Sequence, residues 1–379
     1  MSQSFLFVTG MQRSGTTLIE KMLTNHPQIS LLSQPFYYLF LEAKREFFRR
    51  KGLAPAPLPL GDLFREDRYA PEELDGFLGE YRPERSVLSS LLEAMREYSG
   101  QYTRFGPDET ALALSRLTPG DFAETLSQLC RLLVRRPGAA VVGEKETICE
   151  EFLPYLLHKG AKVVLILRDP RDVVVSLNEG TDGRHAGRLK PLLFNLRNWR
   201  KSVAFAIHLQ GHPGFAWLRY EDLVSDPDGA IGRVARAIGV EPFAAGAFTR
   251  GVHNLDGSLW AGNSSHGPLD AISRSSIGRH PGRLDRAVIR SIEAACYPEM
   301  RFLGYRTELG LRDVGPSLEE FEDPTPLERE ELRRYVPDRE IQADEIRRLD
   351  LLSQESAEEV VSYFRFASVH SVLRGAILA

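Results

Sequence analysis

Residues 5–9, "FLFVT", form a short apolar run, and residues 16–24 then place Leu18, Ile19, Met22 and Leu23 at helical spacing. This order predicts a buried strand, a glycine-rich turn and an amphipathic helix. "NHPQIS" reads as a turn, and "ISLLS" as a second strand. Phe36–Arg50 predicts a helix whose apolar start and basic end suit the helix dipole. The stretch 51–70 holds several prolines without a period and reads as a loop. Pro71–Arg136 predicts several helices that decorate the core and help enclose a substrate. The best marked is "TPGDFAETLSQLCRLLVRR", with Thr118 as the cap, Pro119 at the first helical position and arginines at the end.

Three more apolar runs, "AVVGEKE" (140–146), "AKVVLILRDP" (161–170) and "FAWLRYEDL" (215–223), predict strands. Helical patterns at 150–158, 171–179 and 191–210 lie between and beside them. Alternating strands and helices imply a parallel sheet covered on both faces. The chain after Pro281 is mostly helical in pattern. It ends in a charged stretch and an apolar-striped helix carrying Val360, Val361, Phe364, Val369, Val372, Leu373, Ile377 and Leu378. This helix is expected to pack back on the domain, with a homodimer contact as the alternative. The expected fold is α/β: a P-loop-like parallel β-sheet flanked by helices, with a helical insertion at about 51–136 and a helical C-terminal extension. The first unit spans 1–310 and the extension 311–379. No internal repeat interrupts this order.

Composition narrows the class. The 379 residues are 42% hydrophobic and 26% charged, as in an ordinary globular protein. A net charge of −4 argues against a general nucleic-acid binder. The three cysteines, Cys130, Cys149 and Cys296, form no Cys-x-x-Cys pair, so neither a disulfide frame nor a zinc site is expected. They read as reduced thiols in a cytoplasmic protein. The first strand starts too early to leave room for a signal peptide, and no apolar run approaches the ~20 residues of a membrane span.

The first turn carries chemistry. Gly10-Met11-Gln12-Arg13-Ser14-Gly15-Thr16-Thr17 links a strand to a helix start, where backbone N–H groups and the dipole favour an anion. A nucleotide-hydrolase loop would end in Gly-Lys-Ser/Thr. Here Thr16 stands in place of that lysine, and the strongest strand ends in Arg168 rather than in a metal-binding carboxylate. The residues point to a compact anion held by Arg13, hydroxyls and backbone, without a metal. A plain strand–turn–helix is the competing reading. "VVLILRDPRDVVVSLN" places Arg168 at the carboxyl end of a strand and Ser176 two helical turns on. Ligands bind at such strand ends, so this pair reads as a second phosphate site, distinct from the first. The plain alternative pairs Arg168 with Asp169 or Asp172 and leaves Ser176 solvated.

Together these stretches resemble the sulfotransferases that use 3′-phosphoadenosine 5′-phosphosulfate (PAPS). Arg13-Ser14-Gly15-Thr16-Thr17 is similar to the loop that cradles the 5′-phosphosulfate, and Gln12 adjoins it. Arg168 and Ser176 match the pair that takes the 3′-phosphate. Further likeness is to the tyrosylprotein and carbohydrate branches. "GEKET" places Lys145 where that branch has a strand-end lysine near the sulfuryl group. "RYEDLVSDPDGAIGRVARAIGV" resembles the Tyr-Glu-Asp-Leu strand, beginning at Tyr220, and the helix after it. "SRSSIGRHPGRLD" resembles the late loop over the cofactor, with Ser275 and Arg279 as its candidates. The resemblance covers roughly 5–50 and 139–305. It implies sulfuryl transfer to a hydroxyl of a glycan, peptide tyrosine, lipid or small natural product, with adenosine 3′,5′-bisphosphate as product. Arg13 and Lys145 would balance developing charge, and Thr16 and Thr17 would donate to the 5′-phosphate.

One position departs from the pattern. The tyrosylprotein branch has a general-base Glu after the first helix, whereas this chain reads "LLSQPFYYLF", with Gln34 before Pro35. An amide accepts no proton at neutral pH. Gln34 orients the acceptor, another residue is the base, or the acceptor needs none. His185 and His266 are candidate bases, against the plain reading of each as a surface loop residue. Glu42 is a further candidate, against helix solvation. Phe36, Tyr37, Tyr38 and Phe40 line an acceptor pocket or belong to the core. A P-loop kinase-like phosphotransferase and a catalytically silent nucleotide-binding protein are the competing functions.

Overall fold

The structure is a computed structural model. It describes residues 3–53, 69–97, 103–179, 190–248, 251–254, 257–260, 262, 272–323, 327, 330–355 and 359–378. Its centre is a five-stranded, wholly parallel sheet: β1 (Ser4–Thr9), β2 (Ile29–Ser33), β3 (Val141–Lys145), β4 (Lys162–Leu167) and β5 (Phe215–Arg219), in the order β2-β3-β1-β4-β5. The strands are rich in Val, Leu, Ile and Phe and largely buried on both faces, as parallel strands under helices must be. Register brings Val8 of β1 and Ser33 of β2 level with Lys145 of β3. The β1, β2 and β3 carboxyl ends therefore open on one edge, and β4 runs past Thr9.

One face is covered by α1 (Thr16–Thr24). Its Leu18, Ile19, Met22 and Leu23 pack with Leu6, Val8, Val164 and Ile166. The other face carries the larger core. The chain there forms α2 (Tyr37–Arg50), α3 (Pro71–Glu80), α4 (Arg85–Glu97), α5 (Pro107–Arg116) and α6 (Phe122–Leu132). Phe40 of α2 sits at the centre, with ring centroids 5.5 Å from Phe7, 5.2 Å from Phe122 and 4.9 Å from Phe152. Phe36 and Phe40 are thus core residues, while Tyr37 and Tyr38 are partly buried. The expected 51–70 loop lies mostly in 54–68, outside the described residues.

Beyond β3 come α7 (Leu153–His158), α8 (Pro170–Asn178), α9 (Leu192–His208), α10 (Tyr220–Ser225) and α11 (Pro227–Ile238). α12 (Arg286–Phe302), α13 (Leu311–Glu319), α14 (Arg339–Leu351), α15 (Val360–Phe364) and α16 (Ala367–Leu378) complete the chain. α13 and α16 pack on α12, α14 on α13, and α16 also on α9. Phe321, Leu351, Phe364, Val369 and Leu373 join the core of the sheet's larger face.

Three local expectations change. The helix expected to start at Pro119 starts at Phe122. Asp121 is its cap, accepting from Glu124 N–H at 2.9 Å while Glu124 accepts from Asp121 N–H at 2.8 Å. This reciprocal pair satisfies two orphan donors, so it outweighs proline at the first position. β5 ends at Arg219, and Tyr-Glu-Asp-Leu belongs to a helical turn. Glu221 accepts from Asp169 N–H at 3.0 Å and from the Tyr305 hydroxyl at 2.9 Å, which folds the segment back on the sheet. The single last helix is two, broken at Arg365, whose φ is 66°.

Candidate active site

The site forms where β1, β2, β3 and β4 end. Gly10 has φ 148°, and a Cβ there would lie 2.4 Å from the Ile166 carbonyl oxygen. Gly15 has φ 96°, and its Cβ would lie 2.5 Å from the Tyr220 ring. Both positions demand glycine, for conformation and for close approach. Among the described residues, positive φ outside glycine occurs at Arg13, Gln34, Ile148 and Arg365. The first three flank the ends of β1, β2 and β3. Such strain persists only where surroundings enforce it, and it clusters at functional sites. The enforcing bonds are present: Gln34 N–H donates to Lys145 O at 2.8 Å, and Ile148 N–H to Gly10 O at 3.2 Å.

Arg13 and Arg168 meet. Arg13 Nε donates to Ser176 Oγ at 3.1 Å, and Arg168 Nη1 donates to the Arg13 carbonyl at 3.1 Å. The guanidinium of Arg168 lies over the Tyr220 ring at 4.6 Å, and its Nη2 donates to Ser276 O at 2.6 Å. Its carbonyl is held by Trp199 Nε1 at 2.7 Å. The two expected anion sites are therefore neighbours joined by hydrogen bonds.

The late loop is tied to α8 by Asp172, which accepts from the N–H groups of Gly278, Arg279 and His280 at 2.6, 2.8 and 3.1 Å. Burial would raise the Asp172 carboxyl, but the His280 imidazole, with Nδ1 at 3.1 Å, the charge of Arg168 and the Gly278 N–H hold it below its ordinary pKa. Asp172 therefore anchors the loop. Arg279 pairs with Glu179 at 2.6 Å, and its buried Nη1 has no acceptor among the described residues. Ser275 is exposed, with its hydroxyl at 2.9 Å from that of Ser273, whereas Ser276 is buried against Arg168. The loop pattern was legible; the residue facing inward was decided by one turn of 3₁₀ helix, Arg274–Ser276. His185 and His266 lie outside the described residues.

On the other side, Lys145 is buried. Its Nζ donates to Gln34 Oε1 at 2.7 Å and lies 3.5 Å from Thr17 Oγ1. Burial pushes its pKa down to about 8, against the raising influence of Glu20 and Glu146. Glu146 follows it, fully buried, and accepts from Phe36 N–H at 3.1 Å. Burial pushes the Glu146 carboxyl up to about 8, partly offset by Lys145, the Phe36 N–H and the Gln34 amide. Glu144 on the same strand is also buried and pushed up, first by burial and then by Glu146. "GEKET" had pointed only to Lys145. The missed signal was a pair of acids inside a strand otherwise read as buried, where a perturbed carboxyl is a site marker.

The sequence profile of the sulfotransferase family matches residues 6–244. The chain belongs to the sulfotransferase family. The matched span holds Arg13, Gln34, Lys145, Arg168, Ser176 and Tyr220; Ser275, Ser276 and Arg279 lie after it. Among solved structures, this sulfotransferase is similar to the sulfotransferase domain of the Synechococcus PCC 7002 olefin synthase. That match has 18% identity, 65% of this chain, 78% of that chain and a TM-score of 0.38. It is similar to the sulfotransferase domain from the curacin biosynthetic pathway at 17% identity, over 88% of this chain and 96% of that one, with a TM-score of 0.38. Retinol dehydratase in complex with androsterone and inactive cofactor PAP matches at 17% identity, over 82% and 83%, with a TM-score of 0.35. Among curated proteins none matches. Among the described residues, no helix is long and apolar enough to cross a membrane.

Proposed function

We propose that this sulfotransferase moves a sulfuryl group from PAPS to a hydroxyl of an acceptor. The observation that carries the reading is the convergence of Arg13, Arg168 and Ser176 beside the turn at Gly10–Thr17, with Lys145 on the adjoining strand end. Fit to a nucleotide bearing two anionic ends is supported by buried donors that lack acceptors among the described residues: Ser14 Oγ, Arg168 Nε and Arg279 Nη1. Buried donors are rarely left unpaired, so such a set reads as an anion site.

PAPS supplies an activated sulfuryl group on a phosphate. The backbone from Gln12 to Thr16 and the hydroxyls of Ser14, Thr16 and Thr17 would hold the 5′-phosphosulfate, at the start of α1 where the dipole favours negative charge. Arg168, Ser176 and Arg279 would hold the 3′-phosphate, and Tyr220 would support Arg168 from below. Arg13, between the two groups, and Lys145 would stabilise charge on the sulfuryl oxygens and the leaving oxygen. The acceptor would approach from the side of Gln34, whose Oε1 meets Lys145 Nζ at 2.7 Å. The acceptor would be a glycan, a peptide tyrosine, a lipid or a small natural product.

The test is thermal shift followed by turnover. Adenosine 3′,5′-bisphosphate at 100 times its Kd should stabilise the protein by about 2.7 kcal/mol, and ATP with magnesium should not. Incubation with PAPS, EDTA and a metabolite extract should yield a product heavier by about 80 Da, the mass of one sulfuryl group added to a hydroxyl. Stabilisation by ATP with magnesium alone would assign the site to phosphoryl transfer.

A further inference from the structure

Ile148 is a strained residue that the anion-binding side chains do not account for. A β-branched residue at φ 56° is a conformational outlier. Glycine would adopt this angle without strain, so the surroundings must hold isoleucine there. Both of its backbone polar groups are gripped. Its N–H donates to Gly10 O at 3.2 Å, one rung beyond the bond of 3.0 Å from Glu146 N–H to Val8 O. Its C=O accepts from the Nζ of Lys201, a buried residue of α9, at 3.1 Å.

We propose that Lys201 is a positioning residue for the anion-binding turn: it fixes the backbone of Ile148, and through the Ile148 N–H it sets the Gly10 carbonyl and the turn that starts there. The proposal rests on the sulfotransfer reading above, in which that turn holds the 5′-phosphosulfate. The N–H and the C=O of one residue are separated by its two soft dihedrals, so gripping both groups fixes both angles. The Gly10 C=O shares a rigid plane with the Met11 N–H. The bond from Ile148 therefore orients the first peptide of the turn Gly10–Thr17. Without Lys201, Ile148 is free to relax to negative φ, and its bond to Gly10 is turned or lost.

Lys201 is itself locked in place. It pairs with Glu151 at 2.9 Å and with Glu150 at 3.3 Å, both on the 3₁₀ turn Glu150–Phe152. Lys44 of α2 pairs with the other Glu151 oxygen at 3.2 Å, and the Ser202 hydroxyl donates to Glu150. All of these side chains are buried. Though burial opposes its charge, Glu151 and Glu150 hold Lys201 above its ordinary pKa, so the ammonium keeps its donors. An ammonium has three of them, and it can serve the carboxylates and the Ile148 carbonyl together. The carboxylates explain a buried lysine at this place; the bond to the strained residue explains where it is aimed.

The test is calorimetric binding of two nucleotides to wild type, K201M, I148G and K201M/I148G. Adenosine 3′,5′-bisphosphate reaches the turn with its 5′-phosphate, whereas adenosine 3′-phosphate lacks that group. K201M should weaken the bisphosphate by roughly 10-fold, as for one impaired charge-assisted bond, and the 3′-phosphate by no more than about twofold. I148G should bind the bisphosphate within about threefold of wild type, and K201M/I148G should return to that range, because glycine takes the positive φ without a clamp. The carboxylates left by K201M stay unmatched in the double variant, so a merely structural role for Lys201 gives no such recovery. Wild-type affinity in K201M, equal losses for both nucleotides, or a double variant as weak as K201M would overturn the proposal. Should K201M not fold, K201M/E150Q takes its place, with and without I148G, since it leaves Lys44 matched to Glu151, and the same outcomes decide. If the wild type binds neither nucleotide, the sulfotransfer reading fails and this role of Lys201 falls with it. Binding by the wild type with no selective loss in K201M removes the Lys201 role alone.

Discussion

Arg168 shows how one side chain can be both well placed and multiply committed. Its guanidinium is buried, stacked on Tyr220, and bonded to the carbonyls of Arg13 and Ser276. Both partners are neutral oxygens, so the positive charge remains uncompensated by either of them and suits an anion. Arg168→Ala should weaken binding of adenosine 3′,5′-bisphosphate by about 1.5–3 kcal/mol, the worth of a charge-assisted bond. Binding of 5′-AMP, which lacks the 3′-phosphate, should change little. Calorimetric titration with both nucleotides checks this, and equal losses would withdraw the 3′-phosphate assignment. Arg168 and Ser176 could be read from their spacing because a strand end and a helix face repeat with known periods. Ser276 and Asp172 could not. Their roles depend on which way a short loop far along the chain turns when it meets α8.

At the scale of elements, caps and strand ends follow hydrogen bonds more than propensity. Thr118 was the expected cap, yet it lies before the helix and donates to the Gln128 side chain of α6, while Asp121 closes the N-terminus of α6 and pairs with Lys159 at 2.5 Å. Asp121→Ala should cost about 0.5–2 kcal/mol, as lost caps do, and Thr118→Ala should stay within about 0.5 kcal/mol. The midpoints of urea denaturation distinguish the two positions. The strand ending at Arg219 carries the same lesson. "FAWLRYEDL" is apolar enough to continue, but the Glu221 carboxylate finds two donors only if the chain turns at Tyr220. All five strands were legible because a parallel strand is buried on both faces and leaves a dense apolar run.

At the scale of the molecule, α14 is joined to α9 and α12 by buried charge, and the C-terminal helices share the apolar core. Glu345 of α14 accepts from Arg197 at 2.8 Å and pairs with Arg200, both on α9, and Arg348 pairs with Glu299 of α12. Though burial alone would raise the Glu345 carboxyl, the two arginines drive it far below its ordinary 4.5. A depressed folded-state pKa contributes stability that is present above the unfolded value and is lost as pH falls toward the folded one. Tm should therefore fall with acid beginning near pH 4.5, and this part of the slope should be absent in Glu345→Gln. Glu345→Ala at neutral pH should cost about 3–5 kcal/mol, since it leaves two buried cations without their carboxylate. Thermal unfolding across pH 2.5 to 7 measures both, and an unchanged acid slope in Glu345→Gln would show that other carboxylates govern it.

The pattern along the chain by itself determined the α/β class, the five strands, the turn at Gly10–Thr17 and the charged residues at the strand ends. Each of these is written in local periodicity or in one short motif, which is read without knowing what lies opposite. Only the tertiary structure decided that Arg168 bonds to the Arg13 carbonyl, that Ser276 and not Ser275 faces inward, and that the Gln34 amide oxygen meets Lys145. Those outcomes depend on register between strands 100 residues or more apart in sequence, as Ser33 with Lys145. A one-residue slip there would turn every side chain to the other face. Spacing within a segment says which face a residue shares with its neighbours, and only the packed sheet says what that face meets.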